Sequence, residues 1–119
     1  MSFRFEKLKV WQEARLFSVD IYRITLKFPP EEHFGLTDQL RRAVISIALN
    51  IAEGSSRKSD KDFARFLRTS IGSLEEVVTG LYVALDLKYL DKDEFNNLYS
   101  KANLIASKIN ALINSFKKQ

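Results

Sequence analysis

The sequence contains no cysteine and only one histidine, two prolines and four glycines in 119 residues. The lack of cysteine excludes disulfides, thiolate chemistry and zinc sites built from Cys and His. With His33 as its only histidine, the chain cannot supply the Glu-x-x-His pairs of a di-iron bundle, and a serine nucleophile would have no nearby base. The run Gly54–Lys58 also lacks the spacing of a phosphate-binding loop. We therefore expect no enzymatic activity, cofactor, metal or small-molecule substrate, and we expect His33 in a surface loop.

Long apolar runs are missing as well. The longest, Ala43–Ala52, is about half of the roughly 20 residues that span a bilayer. The stretch Met1–Val10 alternates charged and aromatic residues and has no apolar core of a secretory signal peptide. Together with the absence of cysteine, these features favour a cytoplasmic protein without membrane contact.

Helical periodicity is what the sequence does contain. The chain is 45% hydrophobic and 29% charged, which is typical of one globular domain. Apolar residues recur at spacings of three and four, which predicts helices over roughly residues 7–28, 37–54, 59–88 and 91–117. Thr37, Ser59 and Asp91 are the expected N-caps of the later three. Because the connections are short, the prediction for residues 1–119 is an all-α, up-down antiparallel four-helix bundle in a single domain.

Three of the four predicted helices carry one apolar seam each. The first seam is Val10, Ala14, Phe17, Ile21, Ile24 and Phe28, the third is Phe63, Leu67, Ser70, Leu74, Val77, Leu81 and Ala84, and the fourth is Phe95, Leu98, Ala102, Ile105, Ile109, Leu112 and Phe116. Gly72 and Gly80 in the third helix cost about 1 kcal/mol each relative to alanine. With Ser70 and Ser73 they indicate a place where another helix comes close.

The second predicted helix is apolar nearly all round. One of its faces is Leu40, Val44, Ile47 and Ile51, and the other is Ile45, Leu49 and Ala52. A four-helix monomer covers only one stripe of each helix, so we expect the second face to form a homo-oligomer interface. The alternative is that the first helix and the aromatic tail, with Phe3 and Phe5, cover it.

A polar line runs along the same helix at spacings of three and four. Its members are Gln39, Arg42, Ser46, Asn50, Glu53 and Arg57. We favour a hydrogen-bonded network inside the bundle or at an interface, because buried polar groups find partners. The alternative is a groove that binds a ligand or a protein partner.

Basic residues form the candidate nucleic-acid contacts of this chain, whose net charge is +4. The candidates are Arg41, Arg42, Arg57, Lys58, Lys61, Arg65 and Arg68. A second basic group follows the last acidic residue, Glu94, and consists of Lys101, Lys108, Lys117 and Lys118. Within the first group, spacings of three and four align four residues as one ridge on the third helix: Lys58, Lys61, Arg65 and Arg68. This ridge can neutralise phosphates with a steep dependence on salt, although an ordinary solvated helix face gives the same pattern.

Short motifs in fixed order carry a family resemblance over nearly the whole chain. The matching pieces are Val10-Trp11-Gln12, Ile21-Tyr22, Phe28-Pro29, Gly35-Leu36, Gln39-Leu40-Arg41-Arg42-Ala43, Ser46-Ile47, Asn50-Ile51-Ala52-Glu53-Gly54, Phe66-Leu67, Gly72-Ser73 and Tyr89-Leu90. The chain resembles the bacterial four-helix-bundle family of proteins encoded in 23S rRNA intervening sequences. Two departures stand out. Ala48-Leu49 replaces a frequent Pro-Ser, which predicts a straighter second helix, and Lys88 replaces a frequent glycine.

The resemblance implies bundles packed side by side as a homopentamer, with no enzymatic activity. It also implies similarity to accessory proteins of retroelement reverse transcriptases, which bind nucleic acid through a basic surface. Our leading hypothesis is a non-enzymatic oligomeric bundle that binds structured RNA or other nucleic acid, DNA included. The alternative is a scaffold or accessory subunit that docks a protein partner along the second helix.

Overall fold

The computed structural model describes residues 2–116, which form four long helices joined by short turns. These are α1 (Lys9–Thr25), α2 (Leu36–Ser55), α3 (Asp60–Asp86) and α4 (Lys92–Phe116), with 3-10 turns at Arg4–Lys7 and Pro30–Glu32. The most extensive contact joins α2 to α3, and α4 packs against both α3 and α1. The described chain is thus a bundle of 47 × 27 × 20 Å, and the predicted fold class is confirmed. The predicted end of the last helix at residue 117 lies outside the described residues.

The predicted seams form the core. Every member of the α3 seam is buried, and so are Phe17 and Ile21 of α1 and Ile105 and Ile109 of α4. Three predicted seam members are only half-buried, namely Ile24, Leu112 and Phe116, and Ile113 is buried where Leu112 was expected. A strict seven-residue repeat drifts around a straight helix of 3.6 residues per turn, so the seam moves by one residue near its end.

Ion pairs between the first and last helices follow a regular antiparallel register. The paired residues are seven positions apart on both sides. They advance along α1 and the turn after it, and they run backwards along α4. The pairs are Glu13 with Lys108 at 2.5 Å, Asp20 with Lys101 at 2.8 Å, and Lys27 with Glu94. This ladder closes the seam between α1 and α4, as an up-down topology requires.

The first helix is shorter than predicted. It ends at Thr25, and the N–H groups of Leu26 and Phe28 donate to carbonyls three residues back. Pro29 disfavours helical geometry in the residue before it and donates no backbone hydrogen bond, so the last turn tightens ahead of it. Phe28 is nevertheless buried, as the seam predicts.

The predicted N-cap of α2 at Thr37 is wrong. The cap is Gly35, and Thr37 lies buried in the first turn of the helix. The carboxylate of Glu32 replaces a capping side chain, because its Oε1 accepts the Leu36 N–H at 3.0 Å, while its Oε2 accepts the Tyr89 hydroxyl at 3.0 Å. The hydrogen bond to Glu32 raises the pKa of Tyr89. Glu32 therefore ties the start of α2 to the turn between α3 and α4.

The caps of the last two helices are those predicted. Ser59 Oγ accepts the Asp62 N–H at 3.1 Å. Asp91 Oδ1 accepts the Glu94 N–H at 2.8 Å, and Glu94 Oε1 accepts the Asp91 N–H at 2.9 Å, which is a complete capping box. Hydrogen bonds from Lys27 and from this backbone N–H lower the pKa of Glu94.

Small residues bring α2 and α3 close together. A Cβ at Gly54 would lie 2.7 Å from the Phe66 Cβ, and a Cβ at Gly80 would lie 2.6 Å from the Leu40 Cδ2. Ser70 Oγ donates to the Ile47 carbonyl across the same contact at 2.9 Å. The predicted close approach is confirmed at Gly80. It is wrong at Gly72, where no atom of residues 2–116 outside the neighbouring helical turns lies within 4 Å of an added Cβ.

The C-terminus of α3 is closed by a Schellman motif. The Tyr89 N–H donates to the Ala84 carbonyl at 2.9 Å, and the Lys88 N–H donates to the Leu85 carbonyl at 3.0 Å. The motif requires a left-handed residue, and Lys88 occupies that position with φ of 64°. Glycine adopts this conformation without the penalty of a Cβ, so Lys88 holds it at a cost that glycine would not have.

We predict opposite effects for alanine at two helical glycines. Gly54→Ala should lower the free energy of unfolding by about 1–2 kcal/mol, because the added methyl group collides with Phe66. Gly72→Ala should raise it by about 0.5–1 kcal/mol through helix propensity alone. Urea unfolding followed by circular dichroism measures both, and equal effects of the two substitutions would contradict the α2–α3 packing.

Lys88→Gly should raise the free energy of unfolding by about 1 kcal/mol, since it removes left-handed strain from a non-glycine residue. Lys92→Gly serves as a control, because it places glycine in the first turn of α4, where helical geometry is required. That control should lower the free energy of unfolding by about 0.5–1 kcal/mol. Thermal unfolding of the two variants tests the assignment, and a lower melting temperature for Lys88→Gly would refute it.

Candidate functional site

The α2–α3 turn gathers basic side chains at one end of the bundle. α2 ends at Ser55, and α3 starts one residue after its cap Ser59, so the turn and the first turns of α3 share one end. We call this group the basic end; its members are Arg57, Lys58, Lys61, Arg65 and Arg68. All five side chains are exposed. Along α3, the distance from the start of the helix to Arg68 is about 12 Å, which corresponds to a few phosphate spacings on a nucleic acid.

Two arginines of the basic end pack against one aromatic ring. The guanidinium carbons of Arg57 and Arg65 each lie 4.6 Å from the centre of the Phe66 ring. Asp62 pairs with both, at 2.9 Å to Arg65 Nη2 and 3.9 Å to Arg57 Nε. Glu53 adds a contact of 3.2 Å to Arg57 Nη2. The ring and the carboxylates therefore hold both guanidiniums in a defined arrangement.

The other three members of the basic end are differently placed. Within residues 2–116, Lys58, Lys61 and Arg68 make no ion pair. Their charges face solvent without a neutralising carboxylate of those residues at contact distance. These three residues are the best placed of the predicted contacts to meet an incoming polyanion.

Two of the predicted contacts lie elsewhere. Arg41 lies about four helical turns before the end of α2 at Ser55, a separation of about 21 Å at 1.5 Å per residue. Arg41 packs 4.7 Å from the Tyr22 ring centre and donates to Thr25 Oγ1 at 2.9 Å. Arg42 is exposed next to Arg41, in the N-terminal half of α2. The predicted cluster is thus divided between two regions of the bundle.

Arg4 joins the basic end although the sequence pattern did not single it out. Its Nη1 donates to the Ser55 carbonyl at 3.0 Å, and its guanidinium lies 5.4 Å from the Phe63 ring centre. The alternation of charged and aromatic residues in the N-terminal tail was the available signal. Only the folded chain brings that tail against the end of α2.

Two of the four lysines of the second predicted basic group form ion pairs. Lys101 and Lys108 pair with α1 carboxylates in the ladder described above. Lys117 and Lys118 lie outside the described residues. These two paired lysines of α4 therefore stabilise the α1–α4 seam.

The polar line along α2 is divided between a hydrogen-bonded centre and exposed ends. Ser46 Oγ accepts from Asn50 Nδ2 at 3.0 Å and from Ser73 Oγ at 2.9 Å. These side chains are half-buried or buried at the α2–α3 contact. The remaining members are exposed: Gln39, Arg42, Glu53 and Arg57. The centre of the line is thus occupied by contacts within the bundle.

An apolar groove of about 620 Å³ lies between α1 and α2. Its walls include the predicted interface residues Ile45, Leu49 and Ala52, and Leu49 is 60% exposed. The N-terminal tail covers one end only, because Phe5 packs against Trp11 with ring centres 4.7 Å apart. Along the rest of its length the second apolar face of α2 is open.

The rim of the groove carries positive charge. Arg15, Arg23 and Arg41 line it, and no acidic residue of the described chain does. Arg15 lies 5.5 Å from the Trp11 ring centre, so this guanidinium, like that of Arg41, packs on aromatic surface. A surface that covers this groove must be apolar in its centre, and acidic groups at its margin would complement the arginines.

His33 lies in the turn between α1 and α2, exposed and edge-on to Phe34 at 4.6 Å. In residues 2–116, His, Asp and Glu side chains form no group of three or more suited to holding a metal ion. The same residues include no helix that is both long and apolar enough to cross a bilayer.

The sequence model of the 23S rRNA-intervening sequence protein family matches residues 6–111. The chain belongs to this family. The match includes the basic end, most of the groove and the polar line. No curated protein matches the chain.

A crystal structure of a bacterial protein has the same fold. It is a protein of unknown function from the S23 ribosomal protein family of Bacteroides thetaiotaomicron, with a TM-score of 0.78 and 20% sequence identity. The likeness covers 87% of this chain and 97% of that one. At this identity the likeness shows that the two chains share a fold. In this member, Ala48 and Leu49 lie inside the unbroken helix α2.

Proposed function

We propose that this protein is a non-enzymatic oligomeric bundle of the cytoplasm that binds structured RNA or other nucleic acid through its basic end. The observation that carries the proposal is the exposed group of cations at the α2–α3 turn, of which Lys58, Lys61 and Arg68 have no carboxylate partner in residues 2–116. Lysine and arginine contacts to phosphates supply most of the affinity in sequence-independent binding.

The geometry favours recognition of the phosphate backbone over recognition of bases. Phe66 is the aromatic ring beside the cluster, and two guanidiniums already pack against it. Proteins that bind single strands by stacking need open aromatic faces for successive bases. A partner with closely spaced phosphates in a fixed array, such as a folded RNA, suits this end of the bundle better.

The oligomer in the proposal is supported by the groove between α1 and α2. Its apolar wall exposes Leu49 and the edge of Ile45 to water in a monomer. A second copy of the chain that covers this wall would remove apolar area from water at about 25 cal/mol per Å². The family resemblance implies five copies. Several basic ends in one assembly would bind one polyanion multivalently.

The groove also favours a second candidate function, that of an accessory subunit for a protein partner. An amphipathic helix of another protein, acidic at its margins, would complement the apolar wall and the arginine rim. Co-purification separates the two candidates. A protein partner that survives nuclease and high salt supports the scaffold, whereas nucleic acid released by salt supports the leading proposal.

The nucleic-acid proposal predicts that Lys61→Glu with Arg68→Glu weakens binding to a hairpin RNA by about tenfold or more and lowers the slope of log affinity against log salt by about 2. Lys88→Glu with Lys92→Glu is the matched control, since it changes the net charge equally at the opposite end of the bundle. Fluorescence anisotropy over a salt series measures both. Equal weakening by the two pairs, or no salt-sensitive binding of the unaltered protein to any RNA or DNA, would refute the proposal.

The oligomer proposal predicts that Leu49→Asp yields a folded monomer, because a carboxylate in an apolar interface loses its hydration without gaining a partner. Phe34→Asp places the same charge at a loop residue that is 90% exposed, and it should leave the assembly intact. Light scattering at micromolar concentration gives the mass of each. A monomeric mass for the unaltered protein would overturn this part of the proposal.

A further inference from the structure

One carboxylate sits between the two arginines that pack on Phe66. Asp62 Oδ1 accepts from Arg65 Nε at 3.0 Å and from Nη2 at 2.9 Å, while Oδ2 lies 3.9 Å from Arg57 Nε. Arg65 thus binds Asp62 through two donors of its planar guanidinium. Both donors converge on the one oxygen Oδ1. Guanidinium groups also donate to phosphate oxygens through several N–H groups.

The capping of α3 does not require this carboxylate. Ser59 Oγ caps the helix by accepting the backbone N–H of residue 62, so the cap survives a change of the Asp62 side chain. Asp60 already places a second negative charge in the first turn, where the helix dipole favours it. The feature that sets Asp62 apart from Asp60 is its contact with two guanidiniums.

The contact is also easily exchanged. Side-chain exposure is 66% for Arg65, 37% for Asp62 and 39% for Arg57. Ion pairs with this much solvent contact contribute little to stability, so a competing anion displaces the carboxylate at little cost. Meanwhile Phe66 keeps both guanidiniums against its ring, so the two cations stay positioned when the carboxylate leaves.

We propose that Asp62 occupies the position of a phosphate group in the free protein and that a phosphodiester of the bound nucleic acid displaces it. This inference rests on the proposed function and names the residue that limits the affinity of the basic end for nucleic acid. Before displacement, the single negative charge of Asp62 is shared between two of the five cations of the basic end. After displacement, its negative charge lies beside the phosphate and opposes binding. Asp62 therefore weakens attachment to isolated anions and favours polyanions that engage Lys58, Lys61 and Arg68 at the same time.

The test compares two isosteric changes on one helical turn. Asp62→Asn removes the carboxylate partner of Arg65 and one of the two carboxylates beside Arg57. Asp60→Asn makes the same change in net charge and in helix-dipole interaction without touching either arginine. The probe is a labelled hairpin RNA, titrated by anisotropy over a salt series. Asp62→Asn should bind about threefold to tenfold more tightly than the unaltered protein, and Asp60→Asn at most about twofold. The salt slope should steepen by about 1 for Asp62→Asn alone.

A third variant keeps the inference testable if Asp62→Asn is poorly folded. Glu53→Gln removes one of the two carboxylates beside Arg57 and leaves Asp62 in place, so it should give a smaller gain in affinity than Asp62→Asn. Equal affinities for Asp62→Asn and Asp60→Asn would overturn the inference and leave the proposed function standing. If Asp62→Asn does not fold, unchanged RNA affinity of Glu53→Gln would have the same meaning. Absence of salt-sensitive RNA binding in the unaltered protein would overturn both. Thermal unfolding of each variant shows whether the fold is retained.

Discussion

The contact between α2 and α3 sets the geometry of the rest of the molecule. Gly54 and Gly80 let the two helices approach until side chains of one meet the backbone of the other, and Ser70 ties them across the core. With α2 held this closely against α3, one of its apolar faces is fully used. Its second face, which includes Leu49, cannot reach the same core and opens into the groove beside α1.

The same contact positions the basic end. Because Gly54 admits Phe66 at the close of α2, the ring lies where Arg57 from the turn and Arg65 from α3 can both pack on it. The ladder of ion pairs at the α1–α4 seam has the opposite effect on charge, since it neutralises lysines that composition alone would count as free. The uneven surface charge thus follows from which helices meet, and the basic end keeps three cations that no ion pair of residues 2–116 neutralises.

Much of this architecture could be predicted from the sequence because it depends on periodicity and on local caps. The α3 seam from Phe63 to Ala84 and the caps at Ser59 and Asp91 need only neighbours along one helix. The misplaced cap at Thr37 has a long-range cause, since Glu32 also binds Tyr89 from the turn after α3. The candidate site was harder to predict from the sequence for the same reason. Residue type groups Arg41 with Arg57, but only the packed bundle shows Arg41 on Tyr22 and Arg4 at the basic end.

In solution, we expect another copy of the chain to cover the second apolar face of α2. The single tryptophan, Trp11, lines the groove and reports on it directly. Acrylamide quenching of its fluorescence should be weaker, and its emission at shorter wavelength, in the unaltered protein than in the Leu49→Asp variant at the same concentration. Equal quenching and equal emission in the two proteins would show that water reaches the groove in both, and that result would contradict an oligomer built on this face.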